Sequence, residues 1–556
     1  MPARRLPRAA EPGKSIPGPM PAGCPAGHDA RMQQNSLTGS PLPAPPGPPG
    51  PDTAPEAPGL LARIRRTPRL GVFIVAAVAF AVEMAVSARY GYHRDELYFL
   101  EAGRHPAFGY VDQPPLTPLA ARLAAVLSGN SLAGLRVLPA LGLSALVLLT
   151  AGMSRILGAG RAGQVLAAVC VASCAEFLGA MHLMSTTTPD FVAWAGLLYL
   201  VLRLLDSGEP RWWLAIGLVT GIAAEAKWTI GFLAAAVVAG FAVAPQRRLL
   251  RSRYLLLGAV IAAALAAPDL IWQAAHGWPN LEVFRTLQTA AGHNRAVYWP
   301  AQLLYTGVAL TPVWVAGLIW CWRNESARPF RPAAIAAAAT ILLQFILGGK
   351  PYYSGGAFTF LFAAGSVPAA RWLFPGPGAG RRSWRRSPLI VWAVATLVAV
   401  PIAIPVLPAA ALRTVPLQKI NYDLAETIAW PREVQLITRE YRALPAGQRA
   451  RTTLLTGNYG EAGAIDRYGP PMGLPPAYSG SNNFWLWGPP PAADRSAIAI
   501  SLDPSFLRRE FRSVRRIATF YNGLGIADDE QGSPVYLATG LRESWARAWP
   551  AFRDYS

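Results

Sequence analysis

Asp95 and Glu96 are adjacent carboxylates in a short segment, residues 90–100, which also contains tyrosines, a histidine and an arginine beside an apolar run. Polar groups gathered at the end of a hydrophobic segment are costly to place and usually face a cavity or a pathway. A carboxylate there can take the proton of an attacking hydroxyl. Neighbouring helical residues point about 100° apart, so we expect one acid to face a substrate and the other to hold the segment. The alternative is a helix amino terminus stabilised by acids.

The elements that must position these acids are hydrophobic. Of the 556 residues, 52% are hydrophobic and only 15% are charged, and the 18 tryptophans suit membrane–water interfaces. A run of roughly 20 apolar residues can cross a bilayer, and the chain has about eleven candidates, some of them shorter. We therefore predict an all-α polytopic membrane bundle. The approximate runs are 70–88, 134–151, 163–181, 190–205, 212–226, 229–244, 254–273, 299–321, 332–348, 355–371 and 388–408.

Arginines cluster in alternate connections between these runs, as in residues 247–253. Positively charged connections stay in the cytoplasm, so we predict a protein of the inner (plasma) membrane with a cytoplasmic amino terminus. Residues 1–69, rich in proline and glycine, are predicted to be a disordered cytoplasmic tail. Residues 70–408 then form the transmembrane domain, with a first external loop at 89–133. Residues 409–556 follow as an extracytoplasmic soluble domain.

The net charge of +20 raises the question of nucleic-acid binding. The arginines lie in short clusters between apolar runs, which is where membrane topology puts them. The charge therefore indicates a membrane as the partner and argues against nucleic acid.

The carboxy-terminal residues 409–556 have the pattern of a small α/β domain, with a helix expected over 424–441. The predicted strands are Thr452–Thr456, Ala497–Leu502 and Pro534–Ala538.

One stretch of this domain, residues 478–488, interleaves aromatic residues with amides. Such side chains can stack on sugar rings and bond to hydroxyls, which makes Asn482, Asn483 and Trp485 candidate binding residues. The alternative is a surface that rests on the membrane interface.

The first external loop carries two motifs that resemble a known family. Residues 92–99 read Tyr-His-Arg-Asp-Glu-Leu-Tyr-Phe, and residues 109–116 read Gly-Tyr-Val-Asp-Gln-Pro-Pro-Leu. Further matches are Thr-Pro-Asp at 188–190 and Gly-Lys-Pro-Tyr-Tyr at 349–353. Over about residues 70–490 the chain is similar to the bacterial family 39 glycosyltransferases, relatives of the protein O-mannosyltransferases and of the lipid A aminoarabinose transferase.

The resemblance implies a GT-C fold, in which a helical membrane bundle carries an active site on its outer face. It also implies inverting transfer of a sugar, hexose or pentose, from a polyprenyl-phosphate donor to an envelope lipid, polysaccharide or protein. Asp95 is then the catalytic carboxylate, and Glu96 is a supporting or acceptor-positioning residue.

Such a reaction releases a lipid phosphate, whose growing negative charge requires preorganised cations. The candidates, all external in the predicted topology, are His93, Arg94, Lys227, Arg295 and Lys350. The alternative for the lysines is snorkelling to the interface. The residues predicted to line the substrate site are Tyr92, Asp112, Gln113, Asp190, Tyr352, Tyr353, Asn482, Asn483 and Trp485. The aminoarabinose transferases carry a lysine where this chain has Gln113, so we expect no phosphate-binding role there.

No spacing of histidine, cysteine or acidic residues marks a metal site, so we assign no cofactor and leave a divalent metal ion open. A transporter or flippase of a lipid-linked saccharide would also place charges in an outer cavity. Transporters often contain paired repeats, and none is evident here. A catalytically silent relative that binds an envelope partner is a third alternative, against which the Asp-Glu pair argues.

Overall fold

The fold is taken from a computed structural model, which describes residues 70–375 and 383–555. The predicted tail, residues 1–69, lies outside the described residues. Most of the described chain is helical. Its helices of ten or more residues are α1 (Leu70–Val86), α2 (Arg94–Arg104), α3 (Leu116–Leu127), α4 (Val137–Ile156), α5 (Arg161–Ala172), α6 (Thr187–Ser207), α7 (Trp212–Ala224), α8 (Thr229–Val243), α9 (Arg253–Ala275), α10 (Pro279–Gln288), α11 (Ala291–Thr306), α12 (Thr311–Arg323), α13 (Arg331–Leu347), α14 (Gly355–Leu373), α15 (Ser387–Ala403), α16 (Trp430–Ala443) and α17 (Tyr459–Tyr468).

Five helical stretches of the described residues are long and apolar enough to cross a membrane: Leu132–Ile156, Thr187–Ser207, Arg253–Ala275, Glu325–Leu347 and Trp384–Ala403. A sixth span results if α11 and the stretch that contains α12 are counted together. Helices α1, α3, α5, α7 and α8 are apolar but have only 10–17 residues. The helical fold is therefore confirmed, whereas the count of about eleven spans remains a prediction.

Two predicted spans, 163–181 and 299–321, are not continuous helices. Helix α11 ends at Gly307, whose φ of 89° and ψ of 123° are not helical, and the chain then turns by 79° into the next helix. Helix α5 stops before Cys174, which is extended, and the short helix Ala175–Ala180 follows. Both runs stay apolar across the break, so their hydrophobicity gives no sign of it.

The interior of the bundle is built around α14, where Phe358, Phe360 and Phe362 are buried. At its periphery, Leu397 of α15 is 75% exposed and Leu256 of α9 is 69% exposed. Extended apolar surfaces of this kind mark contact with lipid or with a partner. The bundle thus presents hydrophobic side chains both to its core and to its surroundings.

The carboxy-terminal residues form a five-stranded sheet with the order β2-β1-β3-β5-β4. Strand β1 pairs in parallel with β2 and β3, while β5 is antiparallel to β3 and β4. The strands are β1 (Thr452–Thr456), β2 (Ala477–Ser479), β3 (Ser496–Ile500), β4 (Phe511–Thr519) and β5 (Pro534–Leu541). The three predicted strands are confirmed as β1, β3 and β5.

The helix predicted over 424–441 begins later, at Trp430. Ala429 before it has a positive φ of 71°, which ends the preceding short turns. Proline at position 431 then lies in the first helical turn, where its missing N–H costs nothing.

The sheet and the first loop share one hydrophobic core. Leu97, Tyr98 and Phe99 of α2 are buried together with Leu454 of β1 and Ile465 of α17. Apolar contact of this extent fixes α2, and with it Asp95 and Glu96, against the carboxy-terminal residues.

Candidate active site between the first loop and the carboxy-terminal sheet

Glu96 holds the first loop in place. Its side chain is fully buried and accepts hydrogen bonds from Arg136 Nε at 2.9 Å and Arg136 Nη2 at 2.8 Å. It also accepts the backbone N–H of His93 at 2.9 Å and that of Met184 at 3.0 Å. The contact with His93 is one half of a capping box at the start of α2. No oxygen of Glu96 is left for a substrate.

Asp95, the next residue back along the helix, points elsewhere. Its side chain is 36% exposed. Oδ1 accepts a hydrogen bond from the Tyr459 hydroxyl at 2.9 Å, and Oδ2 lies 3.9 Å from His93 Nδ1. Asp95 is therefore anchored through one oxygen and accessible at the boundary between the loop and the sheet.

His93 caps the amino terminus of α2. Its Nδ1 accepts the backbone N–H of Asp95 at 3.2 Å, which leaves the ring proton on Nε2. Nε2 is 3.7 Å from the Asp423 carboxylate. Asp423 also lies within the electrostatic range of Lys350. His93 thus connects the loop to an acid that no motif had indicated.

Arg94 is neutralised by acids of the carboxy-terminal residues. Nη1 lies 3.1 Å from Glu426 and 2.9 Å from Asp529, and the guanidinium stands 5.2 Å above the Tyr459 ring. Glu426 is buried, so this contact tethers α2 to the sheet. A cation bound in this way is not free for a donor phosphate.

A group of buried acids includes Glu461 of α17. Glu433, Glu461 and Glu530 are each at most 5% exposed and lie within electrostatic range of one another. Both carboxylate oxygens of Glu433 lack a hydrogen-bond partner among the described residues. Burial, with the neighbouring carboxylates, raises the pKa of Glu433 well above its usual value and that of Glu530 to about 9. These groups favour their neutral forms in the folded protein.

A second network joins the loop to the sheet. The Tyr98 hydroxyl donates to Asp112 at 2.7 Å, and the Asn483 side-chain oxygen accepts from Tyr98 at 3.3 Å and from the Val111 N–H at 2.6 Å. Burial raises the pKa of Asp112 to about 7, the Tyr98 hydrogen bond opposes this, and the charge of Asp95 adds to it. The pKa of Asp112 therefore depends on the charge of Asp95.

Lys227 lies on the bundle side of the site. Its ammonium is 5.4 Å from the Tyr352 ring centroid and 4.5 Å from that of Tyr353, and it donates to the Thr187 hydroxyl at 3.4 Å. It is also within the electrostatic range of Asp95 and Lys350. The tyrosine rings stabilise the cation without neutralising it.

Comparison with known structures identifies the architecture. The structure of ArnT from Cupriavidus metallidurans bound to undecaprenyl phosphate matches 85% of this chain and 98% of its own, with a TM-score of 0.51 at 14% identity. Its apo state matches over 84% and 97%, with a TM-score of 0.50 at 14% identity. The chain has the GT-C fold.

Sequence comparison covers a smaller part of the chain. Residues 112–272 match the family model described as dolichyl-phosphate-mannose-protein mannosyltransferase. No curated protein sequence matches the chain. The resemblance inferred from the loop motifs is thus confirmed.

Three of the predicted site residues make contacts that support the fold. Tyr92 is buried and donates to the Asn130 carbonyl at 3.0 Å. Arg295 is exposed and donates to the Ile346 carbonyl at 3.0 and 3.2 Å. Trp485 packs against the cluster of Val111, Val283 and Tyr555, and its indole donates to the Trp549 carbonyl at 3.1 Å. None of these contacts joins the three residues to Asp95.

Three further predicted residues are buried but differ in their hydrogen-bond partners. Asn482 is buried with a positive φ of 45°, and its backbone N–H bonds to the Asp554 carbonyl at 2.9 Å. Asp190 is buried and accepts from Trp194 at 2.9 Å and from Thr229 at 2.8 Å, within the electrostatic range of Lys227. Gln113 is buried, and neither polar atom of its side chain has a partner among the described residues.

Sequence reasoning missed Arg136, Asp423 and Tyr459. Arg136 lies in an apolar stretch, which is a usable signal, because an arginine there needs a partner. Asp423 and Tyr459 lie in the carboxy-terminal residues and carry no motif. Within the described ranges, no group of three or more histidine, cysteine or acidic side chains is arranged to hold a metal ion.

Proposed function

We propose that the chain is an inverting glycosyltransferase of the inner membrane, which moves a sugar from a polyprenyl-phosphate donor to an acceptor of the cell envelope. The observation that carries the proposal is the contrast between Asp95 and Glu96. The side chain of Asp95 is 36% exposed, whereas that of the adjacent Glu96 is 0% exposed. An anchored but accessible carboxylate within electrostatic range of Lys227, which forms no ion pair within the described residues, suits transfer chemistry better than structural support.

In the proposed step, the acceptor hydroxyl oxygen forms a bond to the anomeric carbon as the bond from that carbon to the phosphate oxygen breaks. The Asp95 carboxylate takes the hydroxyl proton. The electron pair of the broken bond leaves with the polyprenyl phosphate. Attack opposite the leaving group inverts the anomeric centre.

The charge on the leaving phosphate needs cations at the opposite side of the sugar. We assign Lys227 and Lys350 to this task, since neither forms an ion pair within the described residues and they lie in electrostatic range of each other. Two lysines of like charge held close together form a natural anion site. The Tyr352 and Tyr353 rings contact the Lys227 ammonium through cation–π interactions. The bound undecaprenyl phosphate of the similar ArnT structure supports a lipid phosphate as the ligand.

The topology of the proposal follows from the arginine distribution. The amino terminus lies in the cytoplasm, and residues 409–556 cover the outer face together with the first loop. Asp112 of the first loop and Asn483 of the carboxy-terminal residues, which both bond to Tyr98, are proposed to line the acceptor side. The acceptor is an envelope lipid, polysaccharide or protein.

Asp95→Asn tests the proposal directly. Wild-type protein in nanodiscs should transfer radiolabel from a polyprenyl-phosphate sugar, and the variant should lose about 100- to 10,000-fold of the rate, which is the usual contribution of a general base. Donor binding should persist in the variant. Equal rates for both proteins would move the base elsewhere.

A transporter of lipid-linked saccharide is the second candidate. One observation favours it, the 79° bend between α11 and the next helix, since transporters build binding sites from interrupted helices. Movement of labelled donor across the bilayer of proteoliposomes without transfer to any acceptor would support this function.

A further inference from the structure

Tyr459 comes from the carboxy-terminal domain, 364 positions after Asp95, yet its hydroxyl is 2.9 Å from the Asp95 carboxylate. It is the first residue of α17. Asn458 caps that helix by accepting the backbone N–H of Glu461 at 3.0 Å. The cap fixes where α17 begins and therefore where the tyrosine side chain leaves the backbone.

Two glycines let α17 approach the first loop closely. A Cβ at Gly460 would lie 2.8 Å from the Arg94 Cβ, and a Cβ at Gly463 would lie 3.0 Å from the Leu97 backbone carbon. Both glycines face α2, because residues three apart share one helix face. Any larger residue would push α17 away from α2, so the glycines allow the Tyr459 hydroxyl to reach Asp95.

The Tyr459 ring contacts one aromatic ring and one cation. The Tyr98 ring centroid is 4.9 Å away, and the Arg94 guanidinium stands 5.2 Å from the Tyr459 ring. Burial, followed by the charge of Asp95, raises the pKa of Tyr459 well above its usual value. The hydroxyl therefore remains protonated and acts as a donor to the carboxylate.

We propose that Tyr459 is a positioning residue for sugar transfer, which fixes the orientation of the Asp95 carboxylate. The inference rests on the proposed function. Donation to Oδ1 leaves Oδ2 as the oxygen that receives the acceptor proton. The carboxy-terminal domain is on this account a component of the active site.

The decisive variant is Tyr459→Phe, which removes one oxygen atom and keeps the ring. Tyr468→Phe is the matched control, since Tyr468 lies on the same helix, packs on the Tyr92 ring and makes no hydrogen bond through its hydroxyl within the described residues. We expect Y459F to lower kcat about tenfold, equivalent to about 1.4 kcal/mol, with the donor KM unchanged. The control should retain the wild-type kcat.

The division between kcat and KM separates positioning from a merely structural effect. Y459F should lower kcat and leave the donor KM unchanged, whereas general loosening of the fold would change both. A wild-type kcat in Y459F, with D95N inactive, would overturn the role of Tyr459 alone.

A thermal-unfolding cycle tests the pair without activity. The Y459F/D95A double variant should unfold at the temperature of its less stable parent, because each single substitution removes one partner of the same hydrogen bond. Additive shifts would show that the two residues do not interact. A wild type inactive with every donor would overturn the proposed function and this role with it, and the cycle would then report the contact by itself.

Discussion

Neutralising Asp95 and neutralising Glu96 should have opposite consequences, although the two substitutions remove the same charge from adjacent residues. Asp95→Asn should leave a stable protein without transfer. Glu96→Gln should keep Asp95 and the other proposed site residues but make the protein much less stable. Each variant is therefore the control for the other.

The magnitudes follow from burial and partners. Glu96 is 0% exposed and Arg136 is 1% exposed, and they are joined by bonds of 2.8 and 2.9 Å. Removing one member of such a pair leaves the other charge buried and costs about 3–5 kcal/mol. Asp95 is 36% exposed and keeps water as an alternative partner, so its neutralisation should cost about 1 kcal/mol or less.

The assay is thermal unfolding in nanodiscs, followed by tryptophan fluorescence, with transfer measured on the same samples well below the transition. A second test uses Glu96→Leu with Arg136→Met. Replacing both charges by apolar groups should be less damaging than replacing either one, since no buried charge is left unpaired.

Two results would refute this reasoning. The first is an E96Q protein as stable as the wild type, which would mean that the Arg136 pair contributes nothing to the fold. The second is a D95N protein that unfolds early, which would make Asp95 the structural acid.

Three further predictions concern other parts of the molecule. Lys350→Met should raise the donor KM about tenfold, as expected for a lost charged contact to phosphate, while Arg295→Gln, whose guanidinium bonds to a carbonyl, should not change it. Raising the pH from about 5 to about 9 should lower the stability of the folded protein. Glu433 and Glu530 (pKa about 9) have raised pKa values in the folded state, so over this range the unfolded chain has already lost protons that the folded protein still binds. Glu433→Gln should reduce this pH dependence, as measured by unfolding at a series of pH values. Asn483→Ala should cost about 1–3 kcal/mol by leaving the Val111 N–H unpaired, and faster hydrogen exchange confined to the first loop would show it.

The sequence was informative wherever local chemistry decides the outcome. Nine of the eleven apolar runs located a helix to within about five residues, whereas α2, α3 and α10 lie outside the runs. The residue pattern located β1, β3 and β5. Strand β4 was not predicted, because Arg512, Arg515 and Arg516 interrupt its apolar residues. The strand lies at an edge of the sheet. The break at Gly307 was not predicted, because hydropathy measures how apolar a segment is and carries no information about its backbone conformation.

The site was predicted only in part, because its contacts join distant positions. The expectation that Asp95 and Glu96 point in different directions agrees with the geometry, and it followed from helix periodicity. Their partners could not be deduced, since Arg136 lies 40 positions away and Tyr459 lies 364 away. No periodic or compositional signal connects residues across such separations, and only the fold brings them together.

The most direct test of the account is sugar transfer by the purified full-length chain, supplied with a panel of radiolabelled polyprenyl-phosphate sugars and envelope acceptors, beside its Asp95→Asn variant. The account predicts transfer by the wild type that collapses in the variant while donor binding persists. Equal transfer by both proteins, or donor binding without transfer across a panel that contains competent acceptors, would contradict it.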